Sequence, residues 1–494
     1  MGPVHKKHAA IIGSGIGGLA ASIRLAAKGY KVSVFEQANQ TGGKISQIHH
    51  KGFRFDRGPS LLTLPHLIDE LFSLGGENPG DHFKYSRLEL SCKYFWEDGA
   101  IITAWQDDEL FANEVGSQCD VKPFQLAKFF RKSKQLYDLT AEPFLFNSIH
   151  KASNYRSKKF IKTIMNSYKL DSFITMHSRN KRWFKDYRIV QLFDRYATYN
   201  GSDPYRTPAT LNIIAHLEHS EGTWFPDKGI YDIAASLTGL AKRMGVEFHM
   251  GSKVSEVIHS NGTVKGIRIN NEFIPALLVV NNTDVSLLYK DLMPTVRMPR
   301  KLERAERSTS ALIFYWGIKK SEPRLKLHNI LFSKDYREEF RHLFGTQTIY
   351  DDPTVYIYIS SRAVADDAPA GSENWYVMIN APVNGGQDWD ALIAEARKNI
   401  VAKINRMLEV DIEKEIIFEK SADPVTIEKE TGSIGGSLYG TSSNSMFAAF
   451  NRHPNFRKPL KNLYFTGGSV HPGGGIPLCL ASAKIIDNEI EPCR

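Results

Sequence analysis

The chain has 494 residues, too many for one simple hydrophobic core, so we expect two or three lobes. It is 42% hydrophobic, no apolar run approaches the ~20 residues that span a bilayer, and its charged first eight residues are unlike a signal peptide. These features predict a cytoplasmic protein without a transmembrane helix. The cysteines form no C-x-x-C pair and the histidines do not cluster, so we expect no metal site.

The first predicted element is a buried parallel strand over Ala9–Ile12, followed by a glycine-rich turn. Gly13, Gly15 and Gly18 fit the G-x-G-x-x-G spacing. The first glycine permits a tight turn, the second lets the backbone approach a pyrophosphate, and the third lets the next helix pack closely on the sheet. The strand, the glycines and a helix over 16–28 therefore predict a dinucleotide-binding unit.

A second predicted strand, Lys31–Phe35, ends at Glu36. A carboxylate at this position accepts hydrogen bonds from an adenosine ribose and repels a 2′-phosphate, so NADP is disfavoured. Gly42-Gly43-Lys44 follows and supplies a second backbone nest near the phosphates.

The run Ile11–Lys44 resembles the flavin-binding fingerprint of the amine oxidase and carotenoid desaturase superfamily. NAD enzymes usually lack the trailing Gly-Gly-basic element, so the resemblance implies FAD. The segment Phe53–Ser60 is also similar to that superfamily, where it runs beside the flavin. The cofactor-binding residues implied in this half of the chain are Gly13, Ser14, Gly15, Ile16, Gly17, Gly18, Glu36, Gln37, Gly42, Gly43, Lys44, Gly58, Pro59 and Ser60.

The net charge is +9, and one segment accounts for all of this excess. Between Lys151 and Arg188 there are eleven basic and only two acidic residues, interleaved with aromatic and aliphatic side chains. Such a stretch is typical of a segment that binds a membrane surface, where each basic residue near anionic lipid contributes about 1 kcal/mol of binding free energy. The alternative is a solvated helical face. No recognition motif accompanies the charge, so we do not expect nucleic-acid binding.

Further strands are predicted on both sides of residue 300. In related flavoproteins the strand equivalent to Val254–His259 gives its backbone to the adenine, which implies Val254 as a cofactor contact. The β-branched and aromatic runs Ala311–Ile318, Thr354–Ile359 and Trp375–Ile379 predict an antiparallel substrate-domain sheet. Its aromatic side chains either line an apolar tunnel or pack as an ordinary sheet core.

The last predicted unit is a strand over 463–466, a turn through Gly467-Gly468 and a helix over 478–486. A helix start aimed at a flavin stabilises the anionic reduced ring through free N–H groups and the helix dipole. Bare glycines let backbone and substrate both lie against the ring. The contacts predicted here are Gly467, Gly468, Gly475, Ile476 and Pro477.

The run His471–Pro477, together with Ala481–Lys484, closely resembles the C-terminal signature of bacterial and fungal carotenoid desaturases. Within that family, Ala311–Ile318 and Asn374–Pro382 are most similar to the acyclic 1-hydroxycarotenoid 3,4-desaturase branch. The resemblance implies an α/β fold with a discontinuous Rossmann-type FAD-binding domain, an α+β substrate domain and a helical membrane-associating region. The expected parts are FAD-binding residues 1–90, 222–290 and 436–494, substrate-domain residues 91–122 and 291–435, and helical residues 123–221.

The activity implied by the resemblance is insertion of a C=C bond into an acyclic, 1-hydroxylated carotenoid. Hydride would pass to flavin N5, and the neighbouring carbon would lose a proton. The partners implied are a lipophilic polyene, a membrane surface to which the protein is peripheral, and oxygen or a quinone as electron acceptor. No catalytic side chain is assigned, and His471 is either a proton acceptor or a brace of its loop. The alternatives are phytoene-type early desaturation, amine oxidation and non-catalytic escort of a prenyl lipid.

Overall fold

The computed structural model describes residues 7–457 and 460–493, so most of the charged N-terminal segment lies outside the described residues. Its strands are β1 His8–Ile12, β2 Lys31–Phe35, β3 Ser46–His50, β4 Phe53–Arg57, β5 Tyr85–Arg87, β6 Leu90–Phe95, β7 Ile101–Trp105, β8 Trp224–Pro226, β9 Glu247–His249, β10 Val254–Ser260, β11 Thr263–Ile269, β12 Glu272–Pro275, β13 Leu278–Asn281, β14 Ser310–Ile318, β15 His328–Leu331, β16 Val355–Ile359, β17 Glu373–Ala381, β18 Ile416–Ala422 and β19 Leu463–Phe465.

The α-helices range from a single turn to 20 residues. They are α1 Ile16–Ala27, α2 His66–Leu74, α3 Asp108–Gln118, α4 Pro123–Thr140, α5 Lys158–Met165, α6 Met176–Trp183, α7 Tyr187–Asp194, α8 Ile213–His216, α9 Tyr231–Arg243, α10 Val285–Leu287, α11 Arg300–Glu303, α12 Tyr336–Arg341, α13 Trp389–Leu408, α14 Pro424–Thr431, α15 Ala448–Asn451 and α16 Ile476–Asp487.

A parallel five-stranded sheet, ordered β19-β13-β1-β2-β9, brings the two ends of the chain together. Ile12 of β1 is in register with Phe35 of β2 on one side and Asn281 of β13 on the other. Because parallel strands end at the same edge, Gly13, Glu36 and the segment after β13 meet there. Helices α1 and α16 pack together beside this sheet, so the predicted order of strand, glycine turn and helix is confirmed at both ends.

The second large sheet has seven strands in the order β18-β14-β17-β16-β15-β6-β7. The three predicted strands are present as β14, β16 and β17, and they pair antiparallel as expected. The sheet is nevertheless mixed, because β15 pairs parallel with β6. The sequence prediction placed no strand at β6 or β15, since both are short and interrupt their apolar residues with polar ones.

A helical segment lies between residues 123 and 221, all of which the structure describes. It contains α4 to α8 and no strand, but its helices are short and separated by turns rather than forming one long amphipathic helix. Across residues 7–457 and 460–493, no helix combines the length and the apolar composition needed to cross a bilayer.

Candidate active site

A cavity of about 1750 Å³ extends from the parallel sheet to the seven-stranded sheet and the helical segment. Its wall includes the predicted cofactor contacts except Ser14 and Gly18, which lie behind it. The predicted residues that line it are Gly13, Gly15, Ile16, Gly17, Glu36, Gln37, Gly42, Gly43, Lys44, Gly58, Pro59, Ser60, Val254, Gly467, Gly468, Gly475, Ile476 and Pro477.

The two glycine motifs touch each other at Gly17. A Cβ atom at Gly17 would lie 2.8 Å from both the backbone nitrogen of Gly467 and the Oγ1 of Thr466. Helix α1 begins at Ile16, one residue before Gly17. The N-cap residue of this helix is Gly15, which has no side chain that could cap the first N–H groups. The first-turn N–H groups of α1 are therefore available to a bound anion at the seam between the two motifs.

Asn282 fills the space between these glycines. The family resemblance predicts that its segment, 281–284, passes the phosphate side of the cofactor, although Asn282 is not among the predicted contacts. Its backbone nitrogen donates to Ile12 O at 2.9 Å, which fixes it beside β1. A Cβ at Gly15 would lie 2.8 Å from its Nδ2, and one at Gly467 would lie 2.7 Å from its Oδ1. The available signal was its position, immediately after the strand that neighbours β1.

Glu36 is held at the cavity wall by the turn that precedes α1. Its Oε2 accepts from the backbone nitrogen and the Oγ of Ser14, both at 2.8 Å, and its Oε1 accepts from Ala38 N at 2.9 Å. Ser14 is fully buried, so its role in the structure is to orient this carboxylate. The remaining lone pairs of Glu36 are positioned to accept from ribose hydroxyls.

Lys44 joins the N-terminal motif to the C-terminal part of the chain. Its Nζ donates to Ser437 O at 3.0 Å and to Leu438 O at 2.7 Å. Burial lowers the pKa of Lys44 to about 8, although the nearby carboxylate of Asp284 opposes this change. The ammonium group therefore braces the 437–438 segment beside the cavity instead of extending freely toward a phosphate.

The C-terminal motif places a second uncapped helix start against the cavity. Helix α16 begins at Ile476, and Gly475 at its N-cap has no side chain. The φ of Gly475 is 105°, a left-handed value that favours glycine, and a Cβ there would meet no heavy atom within 4 Å. The first turn of α16 lines the cavity, so its free N–H groups are available to an electron-rich ring, as proposed for a helix start beside a flavin.

Arg452 is a site residue that the sequence did not indicate. Its guanidinium is buried, and its N–H groups donate to the carbonyls of Tyr439 at 3.2 Å, Thr441 at 3.0 Å and Gly468 at 3.5 Å. Burial lowers its pKa to about 10, and no carboxylate pairs with it within the described ranges. It thus adds positive charge beside the glycine turn, from a segment that carries no motif.

His471 contacts the helical segment as well as lining the cavity. Its Nε2 lies 3.0 Å from Asn147 O, so the ring carries its proton on Nε2. Burial lowers the pKa of His471 to about 4, with Arg452 and His150 acting in the same direction, and the ring is neutral at pH 7. His471 therefore links the C-terminal motif to the helical segment.

The rest of the cavity is walled by the seven-stranded sheet. Ile313, Met378, Tyr356 and Ile330 form one row of cross-strand neighbours, and all four side chains line the cavity. The row continues into β6 and β7, where Tyr94 is the partner of Ile330 and Ile102 is the partner of Tyr94. Three aromatic residues of the predicted strands, Tyr315, Tyr356 and Tyr376, therefore line the cavity. Trp316 and Trp375 instead pack in the core on the other face of the sheet.

Comparison with known proteins defines the family. The model of flavin-containing amine oxidoreductases matches residues 16–486. A 1-hydroxycarotenoid 3,4-desaturase from Flavobacterium sp. (strain P99-3) is 49% identical over 97% of this chain and 98% of its own. A 4,4′-diapolycopene oxygenase from Methylomonas sp. is 30% identical over 97% of each chain.

Solved structures agree on the fold. Putrescine oxidase bound to putrescine superposes with a TM-score of 0.64 at 13% identity, covering 98% of each chain. An oxidoreductase from Methanosarcina mazei gives 0.62 at 14% identity, covering 98% of this chain and all of its own.

The chain therefore belongs to the flavin-containing amine oxidoreductases and is an FAD-dependent oxidoreductase. The residues present fit this cofactor. Two uncapped helix starts, at Gly15 and Gly475, face one continuous cavity, and the carboxylate of Glu36 lies at its wall. FAD needs backbone donors, a ribose acceptor and bare backbone against its ring, and this arrangement offers all three.

Proposed function

We propose that this protein is a carotenoid desaturase that inserts a C=C bond at the 3,4 position of an acyclic, 1-hydroxylated carotenoid. The observation that carries the proposal is the continuity of one cavity from the glycine turns to an apolar sheet wall, in a chain 49% identical to a 1-hydroxycarotenoid 3,4-desaturase. A long polyene needs such a wall, because it offers the protein almost only apolar surface.

In this proposal the glycine turns, Glu36 and Val254 hold the dinucleotide, and Gly58, Pro59 and Ser60 lie beside the ring. Residues 1–90, 222–290 and 436–494 form the FAD-binding domain. Residues 91–122 and 291–435 form the substrate domain, and residues 123–221 form the membrane-associating region.

Bound FAD supplies the acceptor for a hydride from the allylic carbon. The protein contributes position, a water-poor wall and charge. The sheet row from Ile313 to Ile330 orients the polyene, while Arg452 and the start of α16 favour negative charge beside the C-terminal glycines. These groups act without a side-chain nucleophile.

We further propose that the cavity opens toward a membrane. Ile164 and Phe173 of the basic segment line the cavity and are 56% and 85% exposed. Met446, Phe447 and Phe450, from a distant part of the chain, also line it and are also exposed. Helix α5, which carries Ile164, also has three exposed basic residues: Lys158, Lys159 and Lys162. An apolar rim with adjacent bases suits a bilayer that contains both the substrate and a quinone acceptor, with oxygen as the other possible acceptor.

The test is turnover by the FAD-loaded protein in anionic liposomes, with or without added quinone. A 1-hydroxylated acyclic carotenoid, its unhydroxylated parent and phytoene are compared, and products are separated and analysed by absorption spectrum and mass. We expect a red-shifted product that has lost two hydrogen atoms, from the hydroxylated substrate.

Other outcomes would redirect the proposal. A gain of oxygen would place the protein with its oxygenase relatives, such as the 30% identical 4,4′-diapolycopene oxygenase. A product from phytoene would indicate an early desaturase. No product from any carotenoid, with FAD bound, would contradict the proposed function.

A further inference from the structure

A buried polar cluster interrupts the cavity wall. It consists of Arg195, Tyr199 and Glu218, all of which line the cavity. Arg195 is 7% exposed and Glu218 is 1% exposed. Burying charged groups costs free energy unless they are paired, and an apolar polyene chain offers them nothing in return. The cluster therefore needs an explanation other than contact with the polyene chain.

The three side chains are linked by hydrogen bonds. Nη2 of Arg195 lies 3.4 Å from Glu218 Oε1, and Nη1 donates to the hydroxyl oxygen of Tyr199 at 3.2 Å. The Tyr199 hydroxyl in turn donates to Glu218 Oε2. Burial alone would raise the pKa of Glu218, but the charge of Arg195 and these hydrogen bonds lower it. Glu218 is therefore a carboxylate at neutral pH.

Two further tyrosines support the cluster from outside the cavity wall. The hydroxyl of Tyr94, the partner of Ile330 in β6, accepts from Arg195 Nη2 at 2.7 Å. Tyr196 donates to Glu218 Oε1 at 2.9 Å and is fully buried. The cluster is thus held rigidly, as a site that recognises a small polar group must be.

The cluster retains hydrogen-bonding capacity. The Tyr199 hydroxyl oxygen accepts one hydrogen bond and donates one, which leaves one acceptor lone pair. Arg195 Nε has no hydrogen-bond partner in the part of the chain that the structure describes. A ligand hydroxyl that donates to Tyr199 would use capacity that the protein itself leaves unfilled.

The cluster lies close to the C-terminal glycine motif. Gly201 follows Tyr199 by two residues, which limits their separation to about 7 Å. A Cβ at Gly201 would lie 2.9 Å from the ring of Tyr439, and a Cβ at Gly474 would lie 2.8 Å from the same ring. The Tyr439 ring therefore lies between Gly201, two residues after Tyr199, and Gly474 of the C-terminal glycine motif.

We propose that Arg195, Tyr199 and Glu218 bind the terminal tertiary hydroxyl of the substrate and thereby select hydroxylated carotenoids. This inference rests on the proposed function. In such a substrate the hydroxyl oxygen is only three bonds from C3, so recognition of the hydroxyl must occur beside the reacting carbons. A polar cluster next to the glycine motif satisfies that requirement. Tyr199 is the specificity-determining contact, because it combines a free lone pair with a position on the cavity wall.

Y199F and Y196F form a matched pair for the test. Each removes one hydroxyl that donates to Glu218, but only Tyr199 lines the cavity. The measurement is kcat/KM for the hydroxylated carotenoid and for its unhydroxylated parent, with FAD content and Tm recorded for each variant. We expect Y199F to lower the preference for the hydroxylated substrate by about ten- to a hundredfold. Y196F removes a support of Glu218 but no group on the cavity wall, so its loss of preference should be clearly smaller.

Three results would overturn the inference while leaving the desaturase function intact. They are equal kcat/KM of the wild type for both substrates, equal losses on both substrates in Y199F, and the same change of preference in Y196F as in Y199F. Failure of the wild type on every carotenoid would instead contradict the proposed function itself. If Y199F does not fold, the wild type is assayed with a 1-methoxy analogue, which cannot donate to Tyr199. A loss of tenfold or more supports the inference and equal turnover overturns it.

Discussion

The cofactor end and the substrate end of the cavity differ in what forms their walls, which is mainly backbone at one end and side chains at the other. At the cofactor end the wall is backbone, and Gly17 and Gly467 are packed so closely that neither tolerates a Cβ without movement. At the substrate end the wall is side chain, from strands and helices far apart in sequence, such as Ile330, Tyr356 and Tyr199. A wall of closely packed backbone requires glycine at particular positions, which can be recognised in the sequence. A wall of side chains requires only that the fold bring suitable residues together, and these can come from anywhere in the chain.

The largest expected effect comes from disturbing the seam between the glycine motifs with G17A. The new Cβ would lie 2.7 Å from Asn282 Oδ1 and 2.8 Å from Thr466 Oγ1, inside van der Waals contact with groups fixed at the ends of strands. We expect purified G17A to carry little or no FAD and to be destabilised by about 1–3 kcal/mol. Flavin absorbance per mole of protein and thermal unfolding measure both effects.

G116A is the matched control for G17A. Gly116 is an exposed helical residue of α3, and a Cβ there would come no closer than 3.7 Å to Val121 O. We expect G116A to carry the full amount of FAD and its unfolding free energy to rise by about 0.5–1 kcal/mol, because alanine forms helices better than glycine. Wild-type FAD content in G17A would show that the contact between the two glycine motifs is less rigid than the structure indicates.

The same contrast explains which parts of the molecule the sequence predicted. Strand β2 was placed at its observed bounds, and α16 begins two residues before its prediction, because apolar runs and glycine turns are local signals. Arg452 was missed as a site residue, since nothing local distinguishes a buried arginine from an exposed one. Strand β6 was also missed; it pairs both with the adjacent β7 and with β15, more than 200 residues later, and its sequence mixes polar and apolar residues without strict alternation.

A smaller effect is expected at the exposed rim of the cavity. Phe173 is 85% exposed, and if it enters a bilayer its replacement by serine removes apolar burial. We expect F173S to lower partitioning onto anionic liposomes by about ten- to a hundredfold, with FAD content unchanged. Co-sedimentation at fixed lipid concentration and low salt measures the partitioning.

F273S supplies the comparison for F173S. Phe273 in β12 is 45% exposed but does not line the cavity, so its replacement should leave partitioning at the wild-type level. Equal losses in the two variants would indicate nonspecific hydrophobic adsorption. No loss in F173S would remove the basic segment from the proposed membrane contact.

The last expected effect leaves cofactor and membrane binding unchanged and concerns only the pH dependence of stability. His471 joins the C-terminal motif to the helical segment through its hydrogen bond to Asn147 O. Its pKa is lowered from 6.5 to about 4 in the folded protein, chiefly by burial. Between these values the unfolded chain binds more protons than the folded one, so the stability contributed at neutral pH is lost as the pH falls. For His471 alone, this loss between pH 7 and pH 5 is on the order of 2 kcal/mol.

H471Q isolates this contribution, because glutamine retains an N–H donor but does not titrate. His219, His328 and His453 are also buried with lowered pKa values, and they contribute equally to wild type and variant. The difference in unfolding free energy between the two proteins should therefore shrink or reverse as the pH falls from 7 to 5. A constant difference over this range would show that His471 is not buried in its neutral form. The contact between His471 and the helical segment would then be more hydrated than the structure implies.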